Sequence, residues 1–304
     1  MKKIIGICTI FFLIFFGFAL YITKNKEQPD TSIGQKLKIV TTLYPLYDFT
    51  KIIGGEYVDV SLLLPPGVEA HVFEPKPVDI VRMNQADIFI YSGVVMEPWV
   101  TDVLQGVMNK NLFVLNTSDG IVLQSDALTI DPHYWLDFTN AIHMVSAISN
   151  ALIAKDPTHK EIFSNNSRNY IEQLTMLDTE YQRALSTCKT NEIVYGGHYA
   201  FGYMTKRYGL QYRSALGVSP DAEPTAQDLS LLAEFITSQS LQYIFYEELS
   251  SPKIAEVLAN ETHTKLLLLN GAHNISKTQF EQNVSFITIM KKNLENLKIG
   301  LSCQ

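Results

Sequence analysis

The chain is poor in cysteine, in charge and in basic residues, and each shortage excludes something. Three cysteines in 304 residues are too few for a disulfide scaffold or a four-thiolate zinc site. Charged residues make up only 18%, against 46% hydrophobic, an ordinary globular balance that excludes a disordered or collagen-like chain. There are 24 Lys+Arg against 31 Asp+Glu, so 24 − 31 gives a net charge of −7. That balance argues against sequence-independent nucleic-acid binding, which needs a basic face. Beyond residues 4–22 no apolar run is long enough to span a membrane. No internal repeat is evident, and no HExxH or CxxC motif is present.

What is there begins with a leader. Lys2 and Lys3 precede an apolar run over 4–22 in which Thr9 is the only polar side chain. As a helix it would be ~28 Å long, close to the thickness of a bilayer core. A charged start followed by such a run reads as an export signal. Gly17 and Ala19 offer one weak cleavage match, and Cys8 lies too early for lipid attachment after the run. A cleaved signal and a retained anchor both fit residues 1–26, and 27–36 read as a polar tether. The body is therefore expected to be extracytoplasmic, in a periplasm or at a cell surface.

A length near 300 implies two lobes, each with its own core. Runs at 37–43, 58–64, 88–91 and 112–115 are β-rich without strict alternation, as in strands covered on both faces. Helical patterns at 44–54 and 77–84 lie between them, and 140–154 follows. From Asp156-Pro157 to about Cys188, Phe163, Tyr170, Leu174, Leu177, Tyr181 and Leu185 form one helical stripe. A second series has strands at 192–195, 243–246 and 266–269 and helices at 229–238, 254–262 and 285–300. The expected architecture is α/β: a lobe at 37–154, a linking helix at 155–188 and a lobe at 189–304. The sheets are mainly parallel, the helix is a rigid spine, and a crevice separates the lobes. A stiff spine implies small lobe movements rather than wide hinge closure.

Three of the seven histidines sit where strand-exit loops should meet. His71 follows the Pro65-Pro66-Gly67 punctuation, His133 follows Asp131-Pro132, and His198 follows Gly196-Gly197. Imidazole suits zinc and other late first-row divalent ions. Three neutral rings leave a +2 charge for a carboxylate or water to complete. Glu69 and Glu74 near His71, and Asp131 and Asp137 near His133, could fix ring tautomers. A lone histidine is more often a surface or capping residue, so spacing alone leaves the trio open. His143 reads as a packing residue and His159 as a helix-start residue. His263 and His273 lie in polar turns, with His273 the one nearer the crevice.

The segments GVEAHVFEPKP, MNQADIFIYSGVVMEPW, DPHYWLDF, GGHYAFGYMTKRYGL, GVSPDAEPTAQDL, YIFYEELSSPKIAEVLA and IMKKNLENLKIGL carry a resemblance. The chain resembles the solute-binding proteins of zinc and manganese ABC transporters, the ZnuA/TroA/AdcA-like group. The resemblance covers nearly the whole body. It implies two (β/α) lobes bridged by a long helix and one metal ion in the interlobe cleft. It also implies that His71, His133 and His198 are the metal ligands. A histidine rather than a carboxylate at the third position favours Zn2+ over Mn2+ by ligand type.

Two departures stand out. The 121–131 stretch lacks the histidine-rich loop of many zinc members. The usual acidic fourth ligand is expected just before the C-terminal helix, where Val284 falls. Water is then the expected fourth ligand, with Glu247, Glu248 and, by a register shift, Glu281 as substitutes. Trp99 and Trp135 are expected to pack, and Tyr199, Phe201 and Tyr203 to wall the site. Glu223 and Glu247 are expected to partner Arg207 or ring N–H groups. Export permits a disulfide between Cys188 and Cys303.

The implied protein is a monomeric, non-enzymatic zinc binder that feeds an ABC permease. Binding requires neutral imidazoles, so capture should weaken as pH falls through ~6.5. A manganese-binding member of the same group, a three-histidine zinc hydrolase and a metal-stabilised surface adhesin are the alternatives.

Overall fold

The computed structural model describes residues 36–125, 129–218 and 223–304. The expected anchor at 4–22 and nearly all of the tether lie outside them. Two sheets of four parallel strands form the frame. The first holds β1 (Leu37–Thr41), β2 (Val58–Leu62), β3 (Ile88–Tyr91) and β4 (Phe113–Asn116), in the order β2-β1-β3-β4. The second holds β5 (Glu192–Tyr195), β6 (Gln211–Ser214), β7 (Tyr243–Tyr246) and β8 (Lys265–Leu268), in the order β6-β5-β7-β8. The two orders are one topology used twice, a repetition in space that the residues themselves do not advertise.

Burial explains the strand patterns. In β3 and β5 three of four residues are buried, as in strands covered on both faces. β6, with the sequence QYRS, alternates exposed and half-buried residues and lies at a sheet edge. It has no apolar run, and the sequence pattern does not reveal it.

The helices are α1 (Tyr44–Gly54), α2 (Pro77–Asn84), α3 (Val100–Gln105), α4 (Phe138–Lys155), α5 (Lys160–Leu185), α6 (Gly202–Tyr208), α7 (Ala226–Ser238), α8 (Lys253–Thr262), α9 (Lys277–Glu281) and α10 (Phe286–Gly300). Pro45 starts α1, where a missing N–H costs nothing, and Gly55 ends it at φ +55°. Thr225 caps α7 and Ser285 caps α10 through their hydroxyls.

The spine is α5, 26 residues long and hence ~39 Å. Phe163, Tyr170, Leu174, Leu177, Tyr181 and Leu185 are all buried, so the expected stripe faces the core. The helix is shorter at both ends than its pattern. A single turn at Pro157–His159 precedes it, and Cys188 is bonded to Cys303 just beyond it. α5 packs on α1 and α4 from the first series and on α6 and α10 from the second. Asp48 reinforces this joint: its Oδ2 accepts from Tyr170 Oη at 3.3 Å and from Phe286 N at 2.9 Å. One apolar core runs through all these elements, with smaller clusters beneath α2–α3 and α7–α8.

Strand order reverses between β1 and β3, and again between β5 and β7. Loops leaving the carboxyl ends beside such reversals are where α/β sheets place ligands. Among the described residues no helix is long and apolar enough to cross a membrane.

Candidate metal centre

Each histidine of the trio is held by its own loop. His71 lies beyond β2 in a turn where Val68 N donates to Pro65 O at 3.1 Å. Glu69 Oε1 accepts from the His71 backbone N–H at 3.2 Å. His133 precedes a single helical turn, Tyr134–Leu136, that leads into α4. Asp131 Oδ1 grips it twice, through the backbone N at 2.9 Å and ring Nδ1 at 2.8 Å. His198 follows β5. A Cβ on Gly197 would lie 2.8 Å from Glu247 Oε2, so glycine there leaves that carboxylate room to reach His198 Nδ1 at 2.9 Å.

The three rings converge. His133 Nε2 lies 3.1 Å from His71 Nε2 and 3.2 Å from His198 Nε2. All three ring centroids are 5.1 Å apart. A tetrahedron with Zn–N bonds of ~2.1 Å has edges of ~3.4 Å, so the spacing suits one small cation. The tautomers sharpen the point. Asp131 and Glu247 take the Nδ1 protons of His133 and His198, which leaves lone pairs on both Nε2 atoms. Bare lone pairs 3.2 Å apart repel, and a cation between them turns that repulsion into coordination.

Burial sets the electrostatics. His133 and His198 are fully buried, and His71 is partly exposed at the mouth. Desolvation, then the neighbouring rings of His198 and His273, holds His71 down at about 3. The same causes, with His71 added, hold His133 well below the ordinary imidazole value. Both rings are thus neutral and ready to coordinate at pH 7. Burial pushes Asp131 up to about 7, opposed by the His133 backbone N–H. Burial also raises Glu247, but the His198 ring N–H and the His273 ring outweigh it, and its carboxyl sits below the usual value.

The residues named around the fourth position are spread apart. Val284 is partly buried against the apolar core, and its carbonyl accepts from Tyr44 Oη. Glu281 is exposed on α9 beside Lys277, so it points to solvent rather than to the trio. Glu248 binds Asn270 Nδ2. Glu247 spends one oxygen on His198, and its Oε1 has no partner.

His273 is the residue that sequence reasoning undervalued. It is 3% exposed, with ring centroids 6.2, 6.4 and 5.7 Å from His71, His133 and His198. Neither ring nitrogen has a hydrogen-bond partner. Its Nε2 stands 3.8 Å from both Glu69 Oε2 and Glu247 Oε1. Burial lowers the His273 pKa, but the two carboxylates outweigh it and raise the value. Its signal was legible: like His198, it follows a strand exit.

The surroundings correct some expectations and bear out others. Arg207 pairs with Asp178 and Asp137, not with Glu223 or Glu247, and Glu223 is exposed. His143 lies exposed on α4 with Nε2 2.8 Å from Asp119 O, and His159 stacks on Tyr57. Phe201 and Tyr203 are buried walls, and Tyr203 Oη donates to Asp131 O at 3.1 Å. Trp135 meets the His133 ring edge-on, and Trp99 packs on Phe73.

A doubly built parallel α/β scaffold, spanned by one helix and gathering imidazoles at strand ends, defines a capture protein for a small solute. The chain matches the family model described as zinc-uptake complex component A, periplasmic, over residues 39–300, and it belongs to that family. It is 36% identical over 285 residues to the high-affinity zinc uptake system protein ZnuA of Bacillus subtilis, covering 89% of each chain. It is 34% identical over 323 residues to the zinc-binding protein AdcA of Streptococcus pyogenes, covering 98% of this chain but only 62% of that relative's length. The Zn(II)-bound ZnuA-like domain of Streptococcus pneumoniae AdcA superposes with TM-score 0.78 at 36% identity, over 88% of this chain and 99% of that one. The parallel α/β fold expected from the sequence is thereby shown.

Proposed function

We propose that this protein captures Zn2+ outside the membrane and delivers it to the permease of an ABC importer. The supporting observation is the convergence of three Nε2 atoms, with neighbours 3.1 and 3.2 Å apart, on a point buried from water. His71, His133 and His198 are the proposed ligands. His273 replaces water, Glu248 and Glu281 as the proposed fourth. Four imidazoles around one zinc stand with centroids ~5.2 Å apart. His273, with centroids at 5.7–6.4 Å and its ligand nitrogen grouped with His198 and Glu247 rather than with His71 and His133, therefore has to swing inward to coordinate. Glu69 and Glu247 then balance the charge of the ion from just outside its ligands.

An all-nitrogen donor set favours zinc over manganese, which prefers carboxylate and water oxygen. The reading requires no bond chemistry, and the relatives named above are components of zinc uptake or zinc binders. A periplasmic or membrane-tethered, monomeric protein is the form proposed. Competition calorimetry tests the reading. Zn2+ should bind one per chain and displace Mn2+, and His133→Ala should remove the site. Equal affinity for the two ions, or tight zinc binding by the variant, contradicts it.

A further inference from the structure

The segment that carries His273 leaves β8 in the second sheet, yet its bonds run to residues of the first series. Alternate carbonyls of residues 271, 273 and 275 each accept a hydrogen bond from that side. Trp135 Nε1 donates to Gly271 O at 2.9 Å, Tyr44 N to His273 O at 3.2 Å, and Gly67 N to Ile275 O at 2.8 Å. The three anchors fall on one side although the backbone turns at Ala272, φ +56°, so the segment is a bent strap held at three points. Between these anchors lies Asn274, 1% exposed. Its Nδ2 donates both protons, to Pro65 O at 2.8 Å and Val68 O at 2.7 Å, and its Oδ1 accepts from Ile275 N at 2.9 Å. Pro65 and Val68 belong to the turn that immediately precedes His71.

We infer that Asn274 is a positioning residue for metal capture: it staples the His273 strap to the His71 turn, so that two ligands from opposite ends of the chain close on the ion as one unit. The inference rests on the zinc-capture reading. The amide suits the task because one side chain with two donors reaches two carbonyls of the same turn. Aspartate has none to give, and alanine removes both bonds, leaving Pro65 O only its bond from Val68 N. The strap is rooted separately in the second series, where Asn293 and Asn270 exchange two hydrogen bonds of 2.8 Å. Loss of Asn274 therefore loosens the ligand geometry without detaching the strap.

The test uses the full chain with Zn2+ and Co2+ as probes. Residues that orient ligands from behind are worth 10–100-fold in metal affinity, so Asn274→Ala should weaken zinc by that factor. It should also speed zinc loss to a chelator and reduce the intense visible absorption of tetrahedral Co2+. Asn296→Ala is the control. It removes a similar amide bond, to Leu268 O at 2.7 Å, at the end of β8 rather than between the strap and the His71 turn, and should lower Tm with zinc affinity and the Co2+ spectrum unchanged. Asn274→Ser, which keeps one donor, should fall between wild type and alanine, and it serves if Asn274→Ala does not fold. Wild-type zinc affinity and Co2+ spectrum in the Asn274 variants would overturn the inference. Failure of the unmodified protein to bind zinc would instead overturn the capture reading.

Discussion

Acid destabilisation of the metal-free protein reports directly on the buried imidazoles. Desolvation and the rings of His198 and His273 hold His71 at about 3, against ~6.5 in an unfolded chain. Above 6.5 both states carry a neutral ring, and the contribution of His71 to stability is fully present. As pH falls through 6.5 the unfolded chain takes up a proton that the native site refuses. Stability is then lost at ~1.36 kcal/mol per pH unit until the folded value is reached. At pH 5 the loss from this ring is ~2 kcal/mol. Asp131 and Glu97, both pushed up to about 7, work the other way, because the native state gains their protons over the same range. The assay is therefore a difference of differences: urea unfolding at pH 7 and pH 5, for chelator-treated wild type and His71→Gln. The variant should lose ~2 kcal/mol less than wild type between the two pH values. An equal loss would mean that His71 is protonated in the native site, and the account of a desolvated, neutral trio would fail. The same shifts revise the sequence expectation for capture. His71 and His133 are held below the ordinary imidazole value, so they do not set a fall in capture near ~6.5, whereas the two carboxylates beside His273 raise its value.

Other outcomes follow from the same contacts. Asp131→Ala frees Nδ1 of His133 and should cost 10–100-fold in zinc affinity by dye competition, with little change in Tm; unchanged affinity would deny Asp131 its orienting role. Cys188 and Cys303 are 115 residues apart, and the chain-entropy relation for such a loop makes the bridge worth ~5 kcal/mol. Reduction should lower urea stability by that order and leave zinc affinity intact, and a loss of affinity would show that the bridge supports the site. Leu177→Ala, in the buried face of α5, should cost ~2–5 kcal/mol in urea unfolding; a cost under 1 kcal/mol would mean that the spine is not a packed joint. With α5 and the His273 strap both spanning the two series, metal-free and zinc-loaded protein should differ little in small-angle scattering, and a large change in radius would refute the stiff spine.

Much of the fold was legible because its signals are local and periodic. The α5 stripe, the helix at Tyr44–Gly54 with its closing glycine, and the apolar central strands all carry their pattern in neighbouring residues. β6 escaped because an edge strand of polar residues has no such pattern. The loops of His71, His133 and His198 announce themselves by Pro and Gly punctuation. The proposed fourth ligand, His273, was passed over because the helix start at Phe286 looked like the landmark. In the structure the strand exit after β8 is what delivers a side chain to the cleft. The acceptors were partly legible. Asp131, two residues from His133, was visible in sequence, and Glu247 was expected to meet a ring N–H, but which ring it meets follows only from the pairing of β5 and β7. Asp137, expected beside His133, caps α4 and binds Arg207 instead.

The most direct measurement is anomalous diffraction at the zinc edge from crystals of the zinc-loaded protein. The account predicts one peak ~2.1 Å from Nε2 of His71, His133 and His198, with an imidazole nitrogen of His273 completing the tetrahedron. A peak remote from those rings, or none at one equivalent of zinc, would contradict it.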